Sequence, residues 1–231
     1  MAVGLFLIIP LISLTLPSTA PAETLGADEI IRNMETAYGK VEDYRMGVEV
    51  TTFSEDGSTS IEKFLYSFKK PNRIRLDFQE PHPGMTVIYP DEEGKVFVRL
   101  PGLLRLFPFH LSVQSRFLAD PSGQRIDQTD MGRLIRNIAH SLTDSRLGPM
   151  HVTEEGGTIR VRVLAADHFL PGVVTLYHFF IDSRLWLPKG VEEATPAGKK
   201  KRVVAFLNVR TNVGIPDDFF RTGGEGSDAG G

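Results

Sequence analysis

Hydrophobicity alternates residue by residue through "YRMGVEVTTFSEDGSTSIEKFLYSFKKPNRIRLDFQEPHPGMTVIYPDEEGKVFVRLPG", Tyr44 to Gly102. A period of two puts one set of side chains on a single face of a strand, whereas a helix would scatter them around its axis. Phe64, Tyr66 and Phe68 share a face. After the corner Lys70-Pro71-Asn72, Ile74, Leu76 and Phe78 do the same, with Arg73, Arg75 and Asp77 opposite. The other interruptions are Glu55-Asp56-Gly57, Pro81-His82-Pro83-Gly84 and Asp91-Glu92-Glu93-Gly94. Each holds Gly, Pro or Asn, which supply turn geometries. Separators this short join antiparallel neighbours, so the stretch reads as a meander of about five strands with one apolar and one solvated side.

The strand signal resumes at Met150. "MHVTEEGGTIRVRVLAAD" reads as a hairpin turning at Glu155-Gly156-Gly157, with Ile159, Val161 and Val163 alternating with Arg160 and Arg162. The stretch from Gly172 to Asn212 adds about three more strands. Two segments carry a helical period instead. In "GADEIIRNMETAYGKVEDY", Ile30, Ile31, Met34 and Tyr38 recur at helical spacing, with Asp28 as a cap and Gly39 as a stop. In "DMGRLIRNIAHSL", Met131, Leu134, Ile135, Ile138 and Leu142 form a stripe opposite Arg133, Arg136, Asn137 and His140, capped by Thr129 or Asp130. A sheet of about ten strands curls or closes rather than staying flat. The concave face of a curled sheet is then the surface that both helices need. The fold class expected is mainly β with helices (α+β), about ten antiparallel strands with an N-terminal helix and a second amphipathic helix.

Ahead of the helix, "MAVGLFLIIPLISLTLPSTAPAE" is apolar until Glu23 and ends in the small-x-small run Ala20-Pro21-Ala22. Residues 1–22 therefore read as an export signal, too short and too broken by Pro10 for a membrane span. The low-complexity end, 222–231, reads as a disordered tail, leaving 23–221 as a single domain. The chain has no cysteine, which removes disulfides, thiolate chemistry, Cys metal sites and lipid anchoring through an acylated cysteine.

Residues that could carry chemistry are few. His82, His110, His140, His151, His168 and His178 form no zinc-binding spacing, and His178 reads as a sheet histidine. No G-x-S-x-G elbow or glycine-rich phosphate loop is present, and Ser122 sits in a Pro-Ser-Gly turn. Glu92-Glu93, Glu154-Glu155 and Glu192-Glu193 fall at turns or strand ends, and Asp127 and Asp130 at a helix start. No enzyme, cofactor or metal is expected. A net charge of -3 argues against a nucleic-acid partner. Two basic clusters stand out: Lys69, Lys70, Arg73 and Arg75, and "GKKKR" at 198–202. The second is a charged turn or, functionally, a contact for anionic headgroups or an acidic partner. Phe accounts for 15 residues and Trp for 1, concentrated in strands and in 103–109. Such aromatics fill a β core, or line a cavity as in small lipid-binding barrels. Periodicity leaves both open.

Several segments in order resemble the periplasmic outer-membrane lipoprotein carriers, the LolA-like family. They are "YGKVEDYRMGVEVTTF", "FLYSFKKPNRIRLDFQEPHPGMTVIYPDEEGKVFV", "IDSRLWLPKGVEE" and "NVGIPDDFF", covering nearly all of the chain after the signal. The resemblance implies a curled, incomplete antiparallel β-barrel of about ten strands with an N-terminal helix and a helical lid, roughly 100–146, over a hydrophobic cavity for lipoprotein acyl chains or lipids. It implies a soluble periplasmic monomer without a cofactor. Its partners would be an inner-membrane lipoprotein-releasing transporter and an outer-membrane acceptor. On this reading Phe64, Tyr66, Phe68, Ile74, Leu76, Phe78, Met85 and Val87 line the cavity, with Leu134, Ile135 and Ile138 on the lid. Lys70 is the candidate lid latch. It stands where the best-known members carry an arginine, and it lacks that residue's planar fork. Ile74 and Leu76 replace what are often bulky aromatics. A fold does not fix a function. The alternative is an envelope sensor or scaffold that binds a lipidated ligand and signals to a membrane partner.

Overall fold

A computed structural model describes residues 25–115, 125–166 and 172–222. The expected signal segment 1–22, Ser122, His168 and the tail after Thr222 lie outside them. Helix α1 (Ala27–Gly39) leads into strands β1 (Asp43–Phe53), β2 (Thr59–Lys69), β3 (Arg73–Glu80), β4 (Thr86–Tyr89), β5 (Val96–Arg99) and β6 (Phe109–Leu111). Helix α2 (Met131–Thr143) follows. The chain continues through β7 (His151–Glu155), β8 (Thr158–Ala166), β9 (Val174–Asp182), β10 (Pro188–Ala194) and β11 (Lys200–Thr211).

All eleven strands form one antiparallel sheet in the order β6-β5-β4-β3-β2-β1-β11-β10-β9-β8-β7. The two stretches of alternation are thus two meanders, sealed where β1 pairs with β11. The sheet curls but does not close, because β6 and β7 remain its two edges. Their connection contains α2, so this helix has to cross the concave side. Strand β6 is the one the alternation did not predict. It is three residues long and follows Pro108 in an irregular apolar run.

The concave face carries the main core. Val48 lies opposite Phe64 on β2 and Phe206 on β11, and Tyr66 opposite Leu76 on β3. Ile30 and Met34 of α1 and Met131, Ile135, Ile138 and Leu142 of α2 are buried in the same cluster. Such burial, about 1.5–3 kcal/mol for each large apolar side chain, is what holds short helices that would not persist alone. Asp130 caps α2, its carboxylate accepting from the Arg133 amide at 2.9 Å. Asp28 does not cap α1. Gly26 is the cap residue, and Asp28 sits in the first turn, where its charge suits the helix dipole.

The other face is not left to solvent, as the alternation predicted, in its β3–β5 part. Ile88, Phe97, Ile215 and Phe220 form a second small core there, joined by Phe219. The C-terminal segment is strapped on by charge. The Asp43 carboxylate accepts from the amides of Val213 (2.7 Å) and Ile215 (2.9 Å). Lys69 and Arg73 pair with Asp217 at 2.6 and 3.0 Å. Arg75, nearly fully buried, grips Asp77 and donates to the Phe219 carbonyl at 3.0 Å. Three cations of the first basic cluster therefore have partners inside the chain.

Candidate functional site: a cavity beneath α2

Strand β2 shows how the concave face passes from filled to hollow. At its end, Phe68 is buried against Tyr44, ring centroids 5.0 Å apart, and Tyr44 also stacks on Tyr66 at 5.8 Å. The Tyr44 hydroxyl accepts from the Met131 amide at 2.9 Å, which pins the start of α2 over this filled end. Tyr66 and Thr129 share a hydrogen bond of 3.1 Å. One step further along, at Phe64, the face opens into a cavity of ≈ 120 Å³.

The cavity floor is β1 (Met46, Val48, Val50), β2 (Phe64, Tyr66) and β9 to β11 (Tyr177, Phe179, Val191, Val204, Phe206). The roof is Leu134 and Asn137 of α2, with Thr129 before it. At one end stand Glu193 and Arg202, paired in register across β10 and β11, with Tyr177 across from Glu193 on β9. Burial, and next the Glu193 carboxylate, push the Tyr177 phenol well above its ordinary pKa, so it stays neutral. The result is a greasy tunnel with one charged end. It can enclose an apolar chain and meet a polar group there.

Of the residues expected at the site, Phe64, Tyr66 and Leu134 reach the cavity. Phe68, Ile74, Val87, Ile135 and Ile138 are buried in the surrounding core. Leu76, Phe78 and Met85 pack against that core on the β3–β4 side, with Phe78 ring to ring against Phe64 at 5.1 Å. Missed by the reading were the floor residues of β1, β9, β10 and β11. Their alternation was visible, but which strands the hollow would favour depends on the curl.

Lys70 contacts α1 rather than α2. Its ammonium donates to the carbonyls of Gly39 (3.2 Å) and Tyr38 (3.4 Å) at the helix end, where the dipole favours a cation. The link to the lid runs through Tyr38, whose hydroxyl donates to the Asp130 carboxylate at 3.3 Å. Burial, and then the Asp130 charge, push the Tyr38 phenol up to about 12, so it keeps the proton it donates.

Elsewhere, Asp91, Glu93 and His110 bring ligand atoms within 4.8 Å of one another. The Asp91 carboxylate, however, accepts from the Lys95 and Glu93 amides and meets His110 Nδ1 at 2.7 Å, which makes it the buried post of a turn. His178 lies between Arg162 and Glu192 in register on the sheet, and burial lowers its pKa. No helix among the described residues is long and apolar enough to cross a membrane.

No protein-family model matches the sequence, and no curated protein matches it. Solved structures do resemble the fold. A DUF1329 family protein from Desulfovibrio piger is 11% identical, with a TM-score of 0.45 over 84% of this chain and 95% of that one. A LolA superfamily protein from Nitrosomonas europaea is 12% identical, with a TM-score of 0.38 over 85% and 97%. The MucA/MucB complex structure of Pseudomonas aeruginosa gives 13% identity and a TM-score of 0.49, over 85% of this chain and 61% of that one. At TM-scores below 0.5 these likenesses say nothing about function.

Proposed function

We propose that this chain is a periplasmic carrier that shields the acyl chains of lipoproteins or lipids in the cavity beneath α2. It would take them from an inner-membrane transporter and pass them to an outer-membrane acceptor. The observation that supports this reading is the wall itself: Met46, Val48, Val50, Phe64, Phe179, Val191, Val204, Phe206 and Leu134 around a hollow, with charge only at one end. Burying acyl chain there gains about 0.8 kcal/mol per methylene.

An outward swing of α2 would widen the hollow for a long acyl chain, and the bonds it would have to release at the start of the helix are Tyr38–Asp130 and Tyr44–Met131. Native mass spectrometry of the chain co-expressed with an acylated lipoprotein tests the reading. Retained cargo or lipid is expected, and Phe64→Glu should abolish it. A protein that never carries acylated mass would remove the carrier role.

A further inference from the structure

Large apolar side chains exposed to solvent are normally scattered singly over a surface. Here five of the eleven found among the described residues collect in one place. Leu103 is 86% exposed, Leu106 76%, Phe107 67% and Leu104 55% in the connection from β5 to β6, and Phe109 is 46% exposed at the start of β6. The connection is not loose chain. Val98 pairs with Phe109 and Val96 with Leu111 at its base, and Leu100 and Leu111 pack against the main core. A Cβ added at Gly84 of the neighbouring turn would meet Pro101 at 3.4 Å, and Gly102 takes a positive φ of 68° to start the short 3-10 turn Gly102–Leu106. The tip is an anchored, exposed, apolar knob.

Its surroundings say what it meets. The antiparallel order places the turns 54–58, 81–85, 100–108 and 195–199 at the same end of the sheet. The last of these turns leads into the exposed Lys199, Lys200 and Lys201. Lys200 pairs with Glu192, and the turn 54–58 contributes Glu55 and Asp56 to the same end. Arg202, at the charged end of the cavity, lies one residue beyond the lysines.

We propose that the knob at residues 100–109 inserts into the interfacial region of an anionic phospholipid bilayer and docks this end of the sheet on the membrane. Four nearly consecutive exposed Leu and Phe side chains suit a fluid acyl boundary, which can surround them all, better than a fixed protein groove. The cationic flank adds attraction to anionic headgroups. Docking stands independently of cargo, but it would set the charged cavity end towards the surface from which an acyl chain must come.

The test uses the full chain with vesicles of phosphatidylglycerol and phosphatidylethanolamine. A Phe107→Trp reporter in a Trp186→Phe background should shift to the blue on adding vesicles. It should also be quenched by bromine atoms on the acyl chains. Adding Leu103→Ser and Leu106→Ser should cut vesicle partition by about tenfold or more, without changing the thermal melt. Phosphatidylcholine vesicles should bind more weakly than anionic ones. An unchanged reporter spectrum overturns the proposal, as does a shift that appears on self-association without vesicles. Phe64→Glu should lose acyl cargo yet still sediment with vesicles, which separates failure of docking from failure of the carrier reading.

Discussion

Helix α2 and the 100–109 connection lie close together in sequence, both carry several large apolar side chains, and meet opposite environments. Ile138 and Ile135 of α2 are essentially inaccessible, whereas Leu103 is 86% exposed. The difference is one of spacing. Apolar residues at Met131, Ile135, Ile138 and Leu142 fall on a single stripe that one sheet face can cover. Leu103, Leu104, Leu106 and Phe107 are nearly consecutive, between Pro101 and Pro108, and no single surface can cover them all. The family resemblance placed both in one lid, by their order along the chain. Periodicity separates the lid from the knob.

The strongest way to test that contrast is to remove volume from α2. Ile138 is fully buried, so Ile138→Ala should cost about 2–5 kcal/mol in urea-monitored unfolding. A loss as small as that of a surface substitution would mean that α2 is not seated on the core. Gly132 gives the next effect. A Cβ there would lie 2.8 Å from Tyr38 Cζ and 2.9 Å from Asp130 Oδ1, so Gly132→Ala should push α1 and α2 apart at a cost of about 1–3 kcal/mol. If the helix contact gates the cavity, the same variant should bind a fluorescent fatty acid faster.

Asp130→Ala removes both the cap of α2 and the acceptor for Tyr38, and should cost about 0.5–2 kcal/mol. Asp130→Asn keeps a capping oxygen and should recover most of that loss. A full loss in the Asn variant would assign the effect to charge rather than to capping.

The strand pattern was legible because one face of each strand meets a core, and that demand writes a period of two into the chain. The two amphipathic helices were legible for the same reason at a different period. Less visible was what covers the far side. Arg73 and Arg75 alternate as solvent-facing residues would, and only the return of Asp217 and Phe219 from the C-terminus converts them into clasps. The cavity was half legible. Phe64 and Phe68 share a face and a residue type, yet Phe64 lines the hollow while Phe68 is packed beneath the start of α2. Alternation assigns the face. Which end of it stays hollow is decided by where Tyr44 holds Met131, a contact between residues 87 positions apart.

The smallest expected effect on stability is at the knob. Leu103→Ser and Leu106→Ser take away side chains that make little contact in the free chain, so each should change unfolding free energy by less than about 0.5 kcal/mol. The same reasoning predicts a small gain in solubility, measurable as a higher concentration at the onset of light scattering, since apolar surface is removed from water. If either substitution instead cost as much as Ile138→Ala, the knob would be packed in solution and the spacing argument would fail. Residues whose removal leaves the fold untouched but changes association are the ones whose hydrophobicity serves something other than the core.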